Sequence, residues 1–471
     1  MKKILALLFT AAVLSSVSVS ALGTGDYVID EAGGGKVTIP KAYTVKDVIM
    51  DTGAGGRLRE PQDIFIDKQD NIYIADSGNN RIVRLDQNHT FVGDYTDQKR
   101  LNSPQGVYAA DYHELYIADT GNRRIVHLTD SDEYIEEFVK PKTDMLDETS
   151  DFAINKVYLS AQGYLYMIKG QSFMTIDAEN EFKGFVGANQ TGFNFLNYII
   201  RNFASAEQKK RFANPEPPPY NNFVIADDGM IYAVAATGDR QIKKINSVGQ
   251  NIFKTDYSTE KITGPDASVH MVDIAVDSQG VITVIDQNSG KLYQYDREGN
   301  MLCAFGGKGD KKGLFALPVS IAVNSKGHIY VLDYSTGYIH VFEPTRFISE
   351  VKSAVTLYSD GDYDEAYEKW QSVIEIDENY ALANKGIAQT LYKTGKLSEA
   401  LSYYKQAKYK PGYGEVFEEY RYLVLREHFV WIVLGLVLLA AALYFLFRFL
   451  HKLAKGIHKE FVFDKGTTGN K

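Results

Sequence analysis

Six side chains in this sequence have types and positions suited to holding a ligand. Asp63, Gln105, Asn155, Asn222 and Asp273 each lie at or near the entrance of a short apolar run, and His270 is close by. Carboxylates, amides and histidines that converge from several strands can mount a divalent metal. Asp and Asn also turn a chain through their own side-chain hydrogen bonds, which is the simpler use of them here. The six are therefore taken as ligand-binding residues, with no catalytic residue and no metal ligand assigned. No cofactor is expected, and a divalent metal at the mouth of the fold is the one candidate that these residues would take. Other chemistry is not signalled. His89, His113 and His127 fall in one part of the chain and His328 and His340 in another, with no H-x-x-x-H and no G-x-S-x-G. The run Gly306-Gly307-Lys308-Gly309 follows a strand pattern and lacks the helix that a phosphate loop needs.

The elements that must position these residues are repeats. NIYIADSGNNRIVRLD at 71–86 recurs as LYIADTGNRRIVHL at 115–128, and a period of about 40–50 residues in β-type sequence is that of a propeller, one copy per blade. Aligning the apolar residue that precedes each turn places Ile64, Val107, Val157, Phe223, Ile274 and Ile321 at the same position of six copies. Each copy reads as an inner strand, a tight turn such as Ser278-Gln279-Gly280, and a second, third and fourth strand. The abundant tyrosines, 32 in all, suggest sugar stacking at first sight. Tyr73, Tyr116, Tyr166, Tyr232 and Tyr330, however, share one second-strand position, which makes them core.

A six-bladed ring removes most sheet edges but must be latched. Lys41–Met50 has the pattern of a fourth strand, whereas Tyr338–Glu343 has none after it, so the N-terminal strand is expected to complete the sixth blade. One connection between blades, 188–220, is abnormally long, with a helix-compatible run at 193–212 followed by Pro215, Pro217, Pro218 and Pro219. It reads as a lid or docking arm, or as a helix packed on the rim. The motif P-x-[DG]-[IV] at Pro61–Ile64 and Pro104–Val107, with A-D-[ST]-G-N-x-R-I at Ala75–Ile82 and Ala118–Ile125, resembles NHL repeats. It is fullest in the first two blades, partial in the fifth and sixth, and degraded in the third and fourth. Its residues serve the fold first. Asp76 and Asp119 are suited to cap the turn, Gly78 and Gly121 to supply permissive dihedrals, and Arg81 and Arg124 to brace neighbouring loops.

After Pro344 the period becomes 34, pairing Tyr358 with Tyr392, Gly361 with Gly395, Ala366 with Ala400, Trp370 with Tyr404, Val373 with Ala407 and Asp377 with Pro411. This resembles two tetratricopeptide repeats, with small residues where paired helices approach closely. Gly414–His428 is the expected capping helix, running without interruption into a span and on to about residue 455. Phe429–Phe447 contains no charged residue and is long enough to cross a bilayer. Arg448, Lys452, Lys455 and Lys459 follow it, so the positive-inside rule assigns that flank to the cytoplasm. Lys2 and Lys3, the apolar Ile4–Val13 and Val19-Ser20-Ala21 make a secretory leader.

The fold class expected is thus mainly β plus α: a six-bladed β-propeller, a short α-helical tetratricopeptide array and one transmembrane helix. The parts are a signal peptide at 1–21, an extension at 22–40, the propeller at 41–343, two repeats at 345–412, the capping helix at 414–428, the span at 429–450 and a cytoplasmic tail at 451–471. The expected location is a bacterial cell membrane, single-pass type I, with the large part outside. The whole chain has net charge −9 although leader and tail are basic, which opposes nucleic acid as a ligand. The single Cys303 excludes a disulfide within the chain. The full order of parts resembles Gram-positive surface proteins described by fold as NHL or gluconolactonase-like. That resemblance implies company with carbohydrate uptake. Two interaction folds in series suggest a non-catalytic recognition or scaffold protein, its propeller binding a glycan or a protein and its helical repeats and span docking a membrane partner. The rival readings are a metal-dependent lactonase or lyase and an assembly factor for a membrane complex.

Overall fold

Each repeat folds around a second strand that is apolar on both faces. The computed structural model describes residues 25–29, 35–146, 151–187, 218–238, 241–253 and 269–465. In it the second strands Ile72–Asp76, Leu115–Asp119, Leu165–Lys169, Ile231–Ala235, Ile282–Asp286 and Ile329–Asp333 each lie beside an inner strand of their own sheet. The inner strands are Asp63–Ile66, Gly106–Ala109, Val157–Leu159, Tyr220–Ile225, Met271–Val276 and Pro318–Val323. The six aligned apolar residues, from Ile64 to Ile321, are all buried on them. Six sheets result, one per repeat, in a six-bladed β-propeller. Tyr73, Tyr116, Tyr232 and Tyr330 are buried as second-strand core, and Tyr166 is half-buried.

The latch is present. Tyr43–Ile49 pairs antiparallel with Ile339–Pro344, from Tyr43 opposite Pro344 to Ile49 opposite Ile339. One apolar cluster then joins Ile64, Ile74 and Val83 of blade one to Tyr330, Leu332 and Val341 of blade six. The ring is closed by backbone pairing and by burial, not by a covalent bond.

Two blades depart from the four-strand expectation. Blade four has three strands among the described residues, ending with Ile242–Ile245 and a single bridge from Ile245 to Asn251. Blade five has six, because Tyr27–Ile29 and Lys36–Thr38 form a hairpin that adds to Met301–Gly306. The extension expected at 22–40 is therefore strand in part, held also by the Asp26 carboxylate accepting from the Ala42 N–H at 2.7 Å. The leader and most of the 188–220 insertion lie outside the described residues.

Six helices follow among the described residues: α1 (Arg346–Asp360), α2 (Tyr363–Ile376), α3 (Ala381–Lys393), α4 (Leu397–Gln406), α5 (Lys410–Glu427) and α6 (Phe429–Lys465). The chain divides into two compact units, one through Ala383 and one from Asn384. In the first, α1 and the segment after α2 are fixed to blade five. Lys352 Nζ lies 2.6 Å from Asp277 Oδ2 with both side chains buried, and the Tyr380 hydroxyl donates to the Leu302 carbonyl at 2.8 Å. The 34-residue register holds: Gly361 and Gly395 take φ of 94° and 80°, left-handed values that glycine adopts without strain. Ala366 and Ala400 are both fully buried, and Trp370 and Tyr404 are nearly so.

The second unit corrects one expectation. The helix from 414 to 455 is not continuous: α5 ends at Glu427, and His428 sits at φ −100° and ψ 8° before α6 begins. The bonds His428 N–H to Val424 O and Ile432 N–H to His428 O still cross the junction, so the interruption is a single turn residue that helical hydrogen bonds span. Within the Phe429–Lys455 part of α6, the most apolar 18-residue window has mean hydropathy 2.7 and none of it is buried. This is the one described helix long and apolar enough to cross a membrane.

Candidate functional site

The residue just before each aligned apolar position occupies an equivalent place on the inner strands. Those six are Asp63, Gly106, Lys156, Asn222, Asp273 and Ser320. Four of them form one network around the channel axis. Lys156 Nζ donates to both oxygens of Asp63, at 2.6 and 2.8 Å. Asp63 Oδ2 also accepts from the Val107 N–H at 3.0 Å, and its Oδ1 lies 3.1 Å from Ser320 Oγ. Ser320 Oγ lies 2.6 Å from Asp273 Oδ2, which accepts from the Ile321 N–H at 2.7 Å. Asp273 Oδ1 accepts from its own Ile274 N–H at 2.7 Å.

The inner strands bring these groups together because each stands one residue before the aligned apolar residue and so takes the opposite face of its strand from it. Gly106 is empty for a steric reason: a Cβ there would overlap the Asn155 carbonyl of the next blade. Lys156 fills the room left between them. Asp63 and Asp273 are 1% and 2% exposed, so neither charge is solvated. Asp63 is compensated by the Lys156 ammonium. Burial pushes the Asp273 carboxyl up to about 6, with Lys156 opposing the rise and Asp63 adding to it.

Of the six residues expected from sequence, three fall on this ring: Asp63, Asn222 and Asp273. Asn222 bonds within its own strand, its Oδ1 accepting from the Phe223 N–H at 2.7 Å. Gln105 and Asn155 stand one residue before the ring positions Gly106 and Lys156. Gln105 is half-buried, with its N–H bound to the Ala118 carbonyl, and Asn155 is exposed. His270 is held beside the ring, its N–H donating to Asp286 Oδ1 at 2.9 Å and its Nε2 lying 3.1 Å from Asn221 Nδ2. Lys156 and Ser320 were missed. Counting one residue back from the aligned apolar position in every blade would have found both.

A divalent cation is poorly served by these donors. A carboxylate has about four lone-pair sites, and Asp63 meets two contacts from Lys156, one from Ser320 and one from Val107. The Lys156 ammonium holds both oxygens of Asp63, the place a cation on that carboxylate would take. Among the described residues no group of three or more His, Cys, Asp or Glu side chains is arranged to hold a metal ion.

A second charged assembly lies where the A-D-[ST]-G-N motif turns. Asp76 Oδ1 accepts from the Arg59 N–H at 2.7 Å, and its Oδ2 accepts from Asn79 Nδ2 and Arg81 Nε, both at 2.8 Å. Asp119 does the same with Asn102 N–H, Asn122 Nδ2 and Arg124 Nε. Each aspartate thus accepts once from the preceding loop, once from its own turn and once from the arginine that follows the turn. Arg124 reaches on to Asp97 at 2.7 Å and Glu137 at 2.8 Å. Gly78 and Gly121 are required by proximity, not by dihedral: neither has a positive φ, and a Cβ at either would overlap a backbone carbonyl, of Arg59 or Asn102.

Besides His89, whose Nδ1 lies 3.5 Å from Asp47 Oδ2, two histidines prove to be paired with acids. His113 Nδ1 is 3.1 Å from Asp67 Oδ2 and 3.2 Å from the Tyr73 hydroxyl. His127 lies between Glu114 and Glu136, at 3.2 and 3.1 Å, and stacks on Tyr116. Both link adjacent strands or blades of the first two repeats.

The NHL repeat family model matches residues 58–85 and 315–342, in blades one and six. No curated protein sequence matches this chain. Among solved structures, the chain is similar to a streptogramin B lyase at 15% identity, TM-score 0.39, covering 60% of this chain and 78% of that one. It is similar to a putative gluconolactonase at 11% identity, TM-score 0.42, with 65% and 94% covered. The WD40 propeller domain of Doa1 is similar at 10% identity, TM-score 0.39, with 65% and 98% covered.

Proposed function

We propose that this chain is a membrane-anchored recognition or scaffold protein. The propeller mouth takes a glycan or a protein ligand, the paired helices act as tetratricopeptide repeats that dock a membrane partner, and Phe429–Lys455 is the single span of a type I protein. The observation that carries the reading is the closed state of the axial carboxylates. Asp63 and Asp273 spend their oxygens on Lys156, Ser320 and backbone N–H groups, an arrangement that fixes blades and offers little to a reacting metal. NHL repeats and a propeller are compatible with binding. The tetratricopeptide likeness rests on the repeated burial of Ala366 and Ala400 and of Trp370 and Tyr404. The likeness to Gram-positive surface proteins, and with it a role beside carbohydrate uptake, rests on the order of parts in the sequence.

Thermal unfolding of the full chain in detergent tests the reading. Added calcium or manganese should leave the midpoint unchanged. A metal-dependent rise that Asp63→Asn abolishes would favour the enzyme instead. Affinity capture from native membranes should recover a partner with the intact chain. If recovery fails only when the span is replaced by an unrelated one, the assembly-factor reading gains.

A further inference from the structure

The Ser320 hydroxyl has more oxygen neighbours than it has protons. Its oxygen accepts from the Ile64 N–H at 3.2 Å. It also lies 2.6 Å from Asp273 Oδ2 and 3.1 Å from Asp63 Oδ1. A hydroxyl donates once, so if both carboxylates are ionised, one of these contacts sets two oxygens against each other with no proton between them. Ser320 is fully buried, so bulk solvent does not reach it as a donor. A second proton resolves the count: with Asp273 protonated, its O–H donates to Ser320 Oγ and the Ser320 O–H donates to Asp63 Oδ1. Every group is then satisfied, and the only charges left are Asp63 and the Lys156 ammonium that clasps it.

We propose that the axial network holds one exchangeable proton, carried by Asp273 and relayed through Ser320, so that the charge at the centre of the propeller is set by pH. The charged groups that act on Asp273 are Asp63 on blade one and Lys156 on blade three, and its polar contacts are Ser320, the Ile321 N–H and its own Ile274 N–H. His270, three residues earlier, is engaged with Asp286 and Asn221. The raised affinity of Asp273 for a proton agrees with the geometric count. Protonated, the ring is neutral and stitched across blades five, six, one and three. Deprotonated, it carries one net negative charge, and Ser320 must abandon either blade five or blade one.

Infrared spectroscopy of the full chain in detergent tests this. The wild-type minus Asp273→Asn difference spectrum should show the carbonyl band of one protonated carboxylic acid at about pH 5, lost by about pH 8. Absence of that band at the lower pH, or its persistence at the higher, overturns the proposal. Should Asp273→Asn fail to fold, Ser320→Ala serves in its place. Losing the hydroxyl that accepts from Asp273 should shift the band, and an unshifted band overturns the relay.

Discussion

The motif clasps and the axial ring are both built from buried aspartates and a cation, yet they solve different problems. The clasp repeats: Asp76 with Arg81 in blade one and Asp119 with Arg124 in blade two make the same bonds at nearly the same lengths. The ring is made once. Asp63, Lys156, Ser320 and Asp273 come from four different blades and do not substitute for one another. A repeated clasp tolerates loss of one copy, because each holds only its own loop. A single ring does not, because each member is the counter-charge or donor of another.

The largest expected effect is therefore at the ring's only cation. Lys156→Met leaves Asp63 buried without its counter-charge, which should cost about 3–5 kcal/mol. Adding Asp63→Asn to that variant should return most of the loss, read by calorimetry on the full chain. If the double variant is as unstable as the single one, Lys156 acts by packing and not by charge. Next comes the clasp. Arg124→Ala removes three carboxylate partners and should cost roughly 2 kcal/mol, since Asp119 keeps Asn102 N–H and Asn122 Nδ2 and Asp97 keeps Arg100. Arg81→Ala should cost less, as it loses two carboxylates and the Gly55 carbonyl. A clasp variant as damaging as the ring variant would remove the distinction.

A steric test isolates the ring's seam by position alone. Gly106→Ala sets a methyl against the Asn155 carbonyl at the seam of blades two and three and should cost about 1–3 kcal/mol. Gly93→Ala, where a Cβ meets nothing within 4 Å, should be nearly neutral. The same pair shows why part of the molecule was legible and part was not. Repeats, blade number and latch follow from apolar periodicity, which the sequence displays at Ile64, Val107, Val157, Phe223, Ile274 and Ile321. The clasp was legible in its Asp, Asn and Arg, which lie three and five residues apart, but not in the loop groups of Arg59 and Asn102, 17 residues away. The ring was half legible. Asp63, Asn222 and Asp273 have types that signal polar chemistry, but Gly106 and Lys156 do not, and the neighbouring amides Gln105 and Asn155 mimic the signal one residue too early. The place of Gly106 and Lys156 depends on register across blades, as does that of Ser320. The added hairpin of blade five, at Tyr27–Ile29 and Lys36–Thr38, is too short for its alternation to signal a strand.

The smallest effect expected is in pH response, and here the ring and a buried histidine of blade six should differ in sign. Asp273 binds its proton more tightly folded than unfolded, so its contribution is complete below the ordinary value of 3.8 and is lost as pH rises through about 6. His340 is the opposite case. Burial lowers its proton affinity from the ordinary 6.5, and its Nδ1 accepts from the Gly313 N–H at 3.3 Å, which requires the neutral ring. Its contribution is present above 6.5 and is lost as pH falls toward the lowered folded value. The two overlap in mild acid and partly cancel, so the pH dependence of the wild-type midpoint does not separate them. Difference curves do. Wild type minus His340→Asn, whose Oδ1 replaces the accepting Nδ1, should fall with acidification, whereas wild type minus Asp273→Asn should rise. Two curves of the same sign would mean that the axial carboxyl is ionised in the folded chain.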